Sequence, residues 1–270
     1  MRKITEESSA YNELEYMSTR ELVMNINRED HSVAPAVSRS AEQIIALVDA
    51  AFECMQSGGR LFYIGSGTSG RLGILDASEC PPTFGVSHEK VYGIIAGGDV
   101  AIRKAVEHSE DDMEAGYMQL KDLNVSSGDF VVGLSASGYT PYVIGAMQQY
   151  ASEGIKTACI TCNPGTPLAA EVMFPVEVIV GPEFITGSTR MKSGTATKMV
   201  LNIISTSLMI KLGHVKGNKM VDMRPVNNKL LDRGARMIAE QTGVSYEKAY
   251  SLLEETGSVR KVLEHLNQKG

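Results

Sequence analysis

Cysteine is scarce: four in 270 residues are too few for a disulfide framework, and in a reducing compartment they remain thiols. Long hydrophobic runs are missing as well. No stretch approaches the roughly 20 apolar residues that cross a bilayer, and the opening MRKITEESSAYNELEY lacks the apolar core of a secretory signal. A cytoplasmic protein with no membrane partner is therefore expected. Nor is there an excess of positive charge. The 26 lysines and arginines are interspersed with 32 acidic residues, and a formal charge of -6 offers no basic field to attract nucleic acid. What is present is a chain with 43% hydrophobic residues, long enough for one large domain or one domain with an appendage.

Cys159 and Cys162 form a C-x-x-C, but they end the apolar run TACITC, and Cys54 and Cys80 supply no second pair. Buried small side chains account for them better than a metal or redox site. The five histidines (His31, His88, His108, His214, His265) show neither metal-ligand nor triad spacing. No metal and no cofactor is expected.

Apolar residues recur at helical spacing from Ala36 to Cys54, and Gly58-Gly59 provide the stop. Short apolar runs without polar alternation follow at Leu61 to Ile64, Val91 to Ala96, Phe130 to Leu134, Thr157 to Thr161 and Val176 to Val180. Helical patterns separate most of them, near Val100 to Val106, Met113 to Leu120 and Pro141 to Ala151. This alternation predicts an α/β fold: a doubly wound parallel sheet with helices on both faces. Thr195 to Leu212 reads as one long helix. Beyond Asn227 the chain reads as helical, with Ser245 and Ser258 as N-caps. The expected organisation is an arm over 1-34 that wraps the core or a partner subunit, a sheet domain over 35-226 and a helical appendage over 227-270.

In YIGSGTSGRLGILDASECPP, Gly65, Gly67 and Gly70 fit the spacing of a dinucleotide-binding turn. That turn also needs an acidic residue at the end of the next strand, and Asp99 lies beyond the place for it. The intervening positions carry Ser66, Thr68 and Ser69 instead. A second run, FVVGL, leads into S-A-S-G-Y-T-P, where Ser135, Ser137 and Thr140 emerge around Gly138. Each loop offers hydroxyls and backbone N-H groups at the positive end of a helix, where an anion is favoured. Singly, such serines are as often only helix caps. Repeated after two buried strands, they suit a pocket for one phosphate on a small molecule, and no G-K-[ST] supports a nucleotide loop.

Among the carboxylates, Asp76 and Glu79 stand in D-A-S-E-C-P-P, at the end of a helix that Pro81 and Pro82 are expected to terminate. Glycine, cysteine and proline surround Glu79, where a solvated helix would carry lysine and glutamate. In A-V-E-H-S-E-D-D, Glu107 and Glu110 are spaced to share one helical face, and spacing does not choose between them.

The stretches GSGTSGRLGILDASECPPTFG, GLSASGYTPYV, ITCNPG and TGSTRMKSGTATK closely resemble the N-acetylmuramic acid 6-phosphate etherases, relatives of the glucokinase regulatory protein that share a sugar isomerase (SIS) domain. The resemblance runs from about residue 4 to the C-terminus. It implies a cytoplasmic lyase of peptidoglycan recycling that releases D-lactate and N-acetylglucosamine 6-phosphate. It places the general acid at Glu79 and the second glutamate at Glu110, and makes Ser66, Thr68, Ser69, Ser135, Ser137 and Thr140 the phosphate anchors. Arg190 and Lys192 in T-G-S-T-R-M-K-S-G are expected either to meet the substrate's carboxylate or phosphate, or to serve helix-start packing or a subunit contact. It implies a homodimer with shared active sites, and a tail that resembles the family's ubiquitin-associated-like helical piece and stops soon after Leu266. Two rival readings share the phosphate loops: an aldose-ketose isomerase, and a non-catalytic sugar-phosphate sensor that would not need an acid at position 79.

Overall fold

The computed structural model describes residues 3-106, 108-225 and 227-267. Its helices and strands in chain order are α1 (Thr19–Asp30), α2 (Val33–Arg39), α3 (Ala41–Gln56), β1 (Leu61–Gly65), α4 (Gly67–Phe84), β2 (Val91–Ile95), α5 (Gly98–Arg103), α6 (Ala115–Asp122) and β3 (Phe130–Leu134). They continue as α7 (Pro141–Ser152), β4 (Lys156–Thr161), α8 (Pro167–Ala170), β5 (Phe174–Glu177), α9 (Lys192–Lys211), α10 (Asn228–Thr242), α11 (Tyr246–Thr256) and α12 (Val259–Asn267).

The strands build one parallel sheet in the order β2-β1-β3-β4-β5. β1 and β3 pair from Leu61↔Phe130 to Gly65↔Leu134, so they end level with one another. The order reverses between them, and that is the point at which open parallel sheets leave a crevice for a ligand. Both strands are buried throughout, which is why LFYIG and FVVGL carry no polar alternation. Their side chains still alternate between faces. Leu61, Tyr63, Phe130, Val132 and Leu134 join a core with α3, α4 and α9 on one side. Phe62, Ile64 and Val131 join Leu120, Tyr142 and Met147 on the other, and full burial of each large apolar side chain contributes about 1.5–3 kcal/mol.

A third core lies within the C-terminal helices. Ala235, Ile238, Leu253 and Val262 meet there with Val221 and Met223 from the preceding segment. At the other end of the chain, residues before α1 lie on the sheet domain. The Thr5 N-H donates to Asn163 Oδ1 at 3.1 Å, Ser9 Oγ donates to the Phe184 carbonyl at 2.8 Å, and Tyr11 packs on Phe184.

Three local expectations fail for identifiable reasons. The apolar period from Ala36 to Cys54 covers two helices, because Ser40 leaves helical geometry and its hydroxyl donates to the Glu177 carbonyl at 2.8 Å. Pro81 and Pro82 do not end α4, which runs on to Phe84. They leave the Ala77 and Ser78 carbonyls without their helical donors, but Pro81 and Phe84 are buried and hold the last turn against the core. The stop is Gly85, at φ +71°, where a Cβ would stand 2.1 Å from the Asp222 carbonyl oxygen. Finally, Glu110 is in a turn rather than on a helix: α5 has ended at Arg103, and His108 at φ +58° is incompatible with a right-handed helix. Glu107 lies outside the described residues, so its shared face with Glu110 is not part of this structure.

Candidate active site

Ser66, Thr68, Ser69, Ser135, Ser137 and Thr140 all line one cavity of about 260 Å³ at the carboxyl ends of β1 and β3. Their hydroxyls are not spent on capping helices. Ser66 and Thr140 precede α4 and α7, and neither makes a side-chain cap bond. In the second loop Ser135 Oγ shares a hydrogen bond with Thr140 Oγ1 at 2.8 Å and accepts from the Gly138 N-H at 3.0 Å. Ser137 Oγ accepts from the Tyr139 N-H at 3.2 Å. Gly138 turns the loop at φ +75°, where a Cβ would press to 2.5 Å from Thr166, so no larger residue fits without strain.

Glu6 and Thr189 also line this cavity, and among the described residues its lining contains neither lysine nor arginine. An anion placed here would meet hydroxyls, N-H groups and the aligned dipoles of α4 and α7. Arg71 lines an adjoining cavity that shares Ser66, Gly67 and Glu110, and its Nε donates to the Ile102 carbonyl at 2.9 Å.

Glu110 stands at the wall between these two cavities. Ser66 Oγ donates to its Oε2 at 2.8 Å, and its own carbonyl accepts from the Tyr142 N-H at 3.0 Å, which ties the turn to the first residues of α7. Two residues on, Asp112 Oδ1 accepts from the N-H groups of Glu114 and Ala115 and starts α6. A carboxylate so held, beside hydroxyls suited to phosphate, can take a proton from a carbon of a bound sugar phosphate.

Glu79 is elsewhere on α4. It lines a cavity of about 390 Å³ between α4 and α9, with Asp76, Thr83, Lys198, Asn202 and Ser205 among its neighbours. Glu79 lies 12 residues beyond Gly67, a helical rise of roughly 18 Å from the phosphate loop. The two sequence-predicted glutamates therefore do not meet within one chain.

The inner wall of the second cavity is a buried polar cluster. Asp76 accepts from Ser205 Oγ at 3.0 Å, and the buried Tyr63 hydroxyl lies beside its carboxylate. Burial pushes the Asp76 carboxyl up to about 6, against the Ser205 and Tyr63 hydroxyls and Lys198, which favour its charge. Burial, with Asp76 and Glu79 nearby, likewise pushes the Cys80 thiol up to about 12. Cys159 and Cys162 are fully buried, and burial raises each to about 12, the behaviour of inert core thiols.

Curated proteins similar to this chain include N-acetylmuramic acid 6-phosphate etherases. That of Porphyromonas gingivalis ATCC 33277 is 57% identical over 99% of this chain and 97% of its own length, and that of Christiangramia forsetii is 57% identical over 98% and 97%. The chain belongs to the N-acetylmuramic acid 6-phosphate etherase family. The Salmonella typhi etherase is 52% identical over 90% of this chain and 82% of its own length. The model of the glucokinase regulatory protein N-terminal SIS domain matches residues 43–151, and the SIS domain model matches residues 102–207. A putative sugar-phosphate isomerase from Listeria monocytogenes superposes with a TM-score of 0.53 at 19% identity, over 74% of this chain and 94% of its own. That likeness concerns the fold, and the doubly wound parallel sheet expected from the strand pattern is the one observed.

Within this etherase-family chain, the two cationic candidates separate. Lys192 opens α9 and is buried. Its Nζ donates to Glu29 Oε2 at 2.6 Å, and its N-H to Glu183 Oε2 at 2.8 Å, so helix-start packing describes it. Arg190 is exposed in the turn before α9 and lines neither cavity. Spacing-based reasoning passes over Lys198 and Asn202, which line the Glu79 cavity. Their signal is faint: two polar residues four apart on a long helix of apolar and small residues.

Proposed function

We propose that this chain is an N-acetylmuramic acid 6-phosphate etherase, a carbon-oxygen lyase that releases D-lactate and N-acetylglucosamine 6-phosphate. The observation that carries the reading is Glu110, fixed by Ser66 at the rim of a hydroxyl-lined cradle on the β1/β3 crevice. The chain's place in the etherase family supports it.

The substrate's 6-phosphate lies among Ser66, Thr68, Ser69, Ser135, Ser137 and Thr140, which holds the open-chain sugar in register. C2 is then α to the aldehyde, and Glu110 removes its proton. The electron pair forms the C2=C3 bond as the C3-O bond breaks, and Glu79 protonates the departing oxygen of lactate. Water, activated by the Glu79 carboxylate, adds at C3 of the unsaturated aldehyde while C2 recovers a proton. One water is consumed, and no redox change occurs.

Because Glu79 and Glu110 line separate cavities, the working site joins Glu110 of one copy to Glu79 of a second in a homodimer. Exposed apolar side chains near the Glu79 cavity favour such a contact: Leu75 on α4, and Ile203 and Ile210 on α9. The same reading divides the chain into an arm (1–34), a SIS domain (35–226) and a helical appendage (227–270), and locates the protein in the cytoplasm. Among the described residues no helix is long and apolar enough to cross a membrane.

Incubation of the purified protein with N-acetylmuramic acid 6-phosphate, followed by a D-lactate assay, tests the proposal. Stoichiometric D-lactate is expected. An isomerase or a sensor on the same scaffold releases none.

A further inference from the structure

We propose that the cavity between α4 and α9 is the subsite for the lactyl carboxylate of the substrate, with Lys198 as its counter-charge and Asn202 as the residue that orients the ammonium. The proposal rests on the etherase reading, because it follows the leaving group from the oxygen that Glu79 protonates.

In the lactyl ether the carboxylate carbon is two bonds from the ether oxygen. Wherever Glu79 reaches that oxygen, the carboxylate lies beside it and falls within the space that Glu79 lines. A carboxylate taken into a partly enclosed cavity needs a charged or hydrogen-bonding partner, and Lys198 is the one cation among the described residues that line it.

Lys198 is also uncommitted. Lys156, Lys192, Lys211 and Lys219 each pair with a carboxylate, at 2.7, 2.6, 2.6 and 2.7 Å. Lys198 makes no ion pair among the described residues, and its Nζ donates to Asn202 Oδ1 one turn along α9. That bond turns the ammonium along the helix face that borders the cavity. The two residues expected from sequence to read a carboxylate do not compete for the role, since Lys192 is committed to Glu29 and Arg190 lines neither cavity.

The cavity wall adds to the negative charge that Lys198 offsets. Asp76 is 5% exposed and lines the cavity, with Ser205 Oγ donating to its Oδ1 at 3.0 Å. Without Lys198, the occupied cavity would hold three carboxyl groups, those of Asp76, Glu79 and lactate, with no positive charge to offset them.

The test compares two substrates: N-acetylmuramic acid 6-phosphate, and the same compound with its lactyl carboxylate converted to a carboxamide. Formation of N-acetylglucosamine 6-phosphate is followed for the wild type, K198M and K198R. The wild type should prefer the acid by about 10- to 100-fold in kcat/KM, the range for one charge-assisted contact. K198M should lose that preference by slowing on the acid alone, and K198R should keep part of it. Calorimetric binding of N-acetylglucosamine 6-phosphate, which lacks the lactyl group, should be unchanged in both variants and reports that they are folded. Equal losses on acid and carboxamide, or no loss on either, would overturn the assignment of Lys198. A wild type that converts neither substrate would overturn the etherase reading, and this proposal with it.

Discussion

Glu79 and Glu110 are separated by most of the length of α4. Glu110 is held at the start of that helix by the Ser66 hydroxyl at 2.8 Å, whereas Glu79 opens into a different cavity against α9. Under the proposed mechanism, in which both act on neighbouring carbons of one sugar, they would come from two copies of the chain.

Complementation follows from that separation. E79Q and E110Q should each be inactive as purified homodimers. After co-expression or exchange of subunits, mixed dimers carry one site with both glutamates, so activity should return to roughly a quarter of the wild-type rate. A mixture that remains as inactive as its parents would show that both glutamates are required from the same chain.

Ser135 organises the second half of the cradle, accepting from the buried Gly138 N-H and bonding Thr140. Ser135→Ala leaves that N-H its second acceptor, the Ser135 carbonyl at 3.1 Å, and should cost about 0.5–1.5 kcal/mol in urea denaturation. It should also weaken calorimetric binding of N-acetylglucosamine 6-phosphate by roughly tenfold, because one phosphate donor is lost. Reduced stability with unchanged affinity would make Ser135 a turn residue only.

Asp76 gives stability a pH dependence of defined sign. Burial raises its folded pKa from 3.8 to about 6, so the native state binds this proton more tightly than the unfolded chain does. The contribution is fully present below pH 3.8 and is lost as pH rises through about 6, a change on the order of 3 kcal/mol. Asp76→Asn keeps an acceptor for Ser205 but cannot ionise. Urea midpoints measured from pH 4 to pH 7 should therefore show the variant gaining on the wild type as pH rises. Parallel curves would contradict the assignment.

The parts of this molecule that are legible in the sequence are those set by local chemistry. LFYIG and FVVGL announce buried strands because both faces of a parallel strand must be apolar. The hydroxyls after them announce a polar mouth, and all six meet in one cavity. Pro81 and Pro82 mislead because tertiary burial of Pro81 and Phe84 outweighs the two missing helical donors. The turn at Glu110 is obscured by an i, i+3 spacing that a left-handed residue at His108 interrupts. Lys198 becomes a neighbour of Glu79 through the packing of α4 on α9, more than 100 residues apart in the chain, and no local pattern encodes that contact. Glu6 reaches the cradle by the same kind of long-range route, carried by an arm whose Thr5 is pinned to Asn163.

The most direct measurement of the central claim is turnover of N-acetylmuramic acid 6-phosphate in deuterium oxide, with mass and NMR analysis of both products. Removal of the C2 proton by Glu110 predicts one solvent deuterium at C2 of N-acetylglucosamine 6-phosphate for each D-lactate released. Release of D-lactate with the original hydrogen retained at C2 would contradict elimination, and with it the role assigned to the carboxylate beside Ser66.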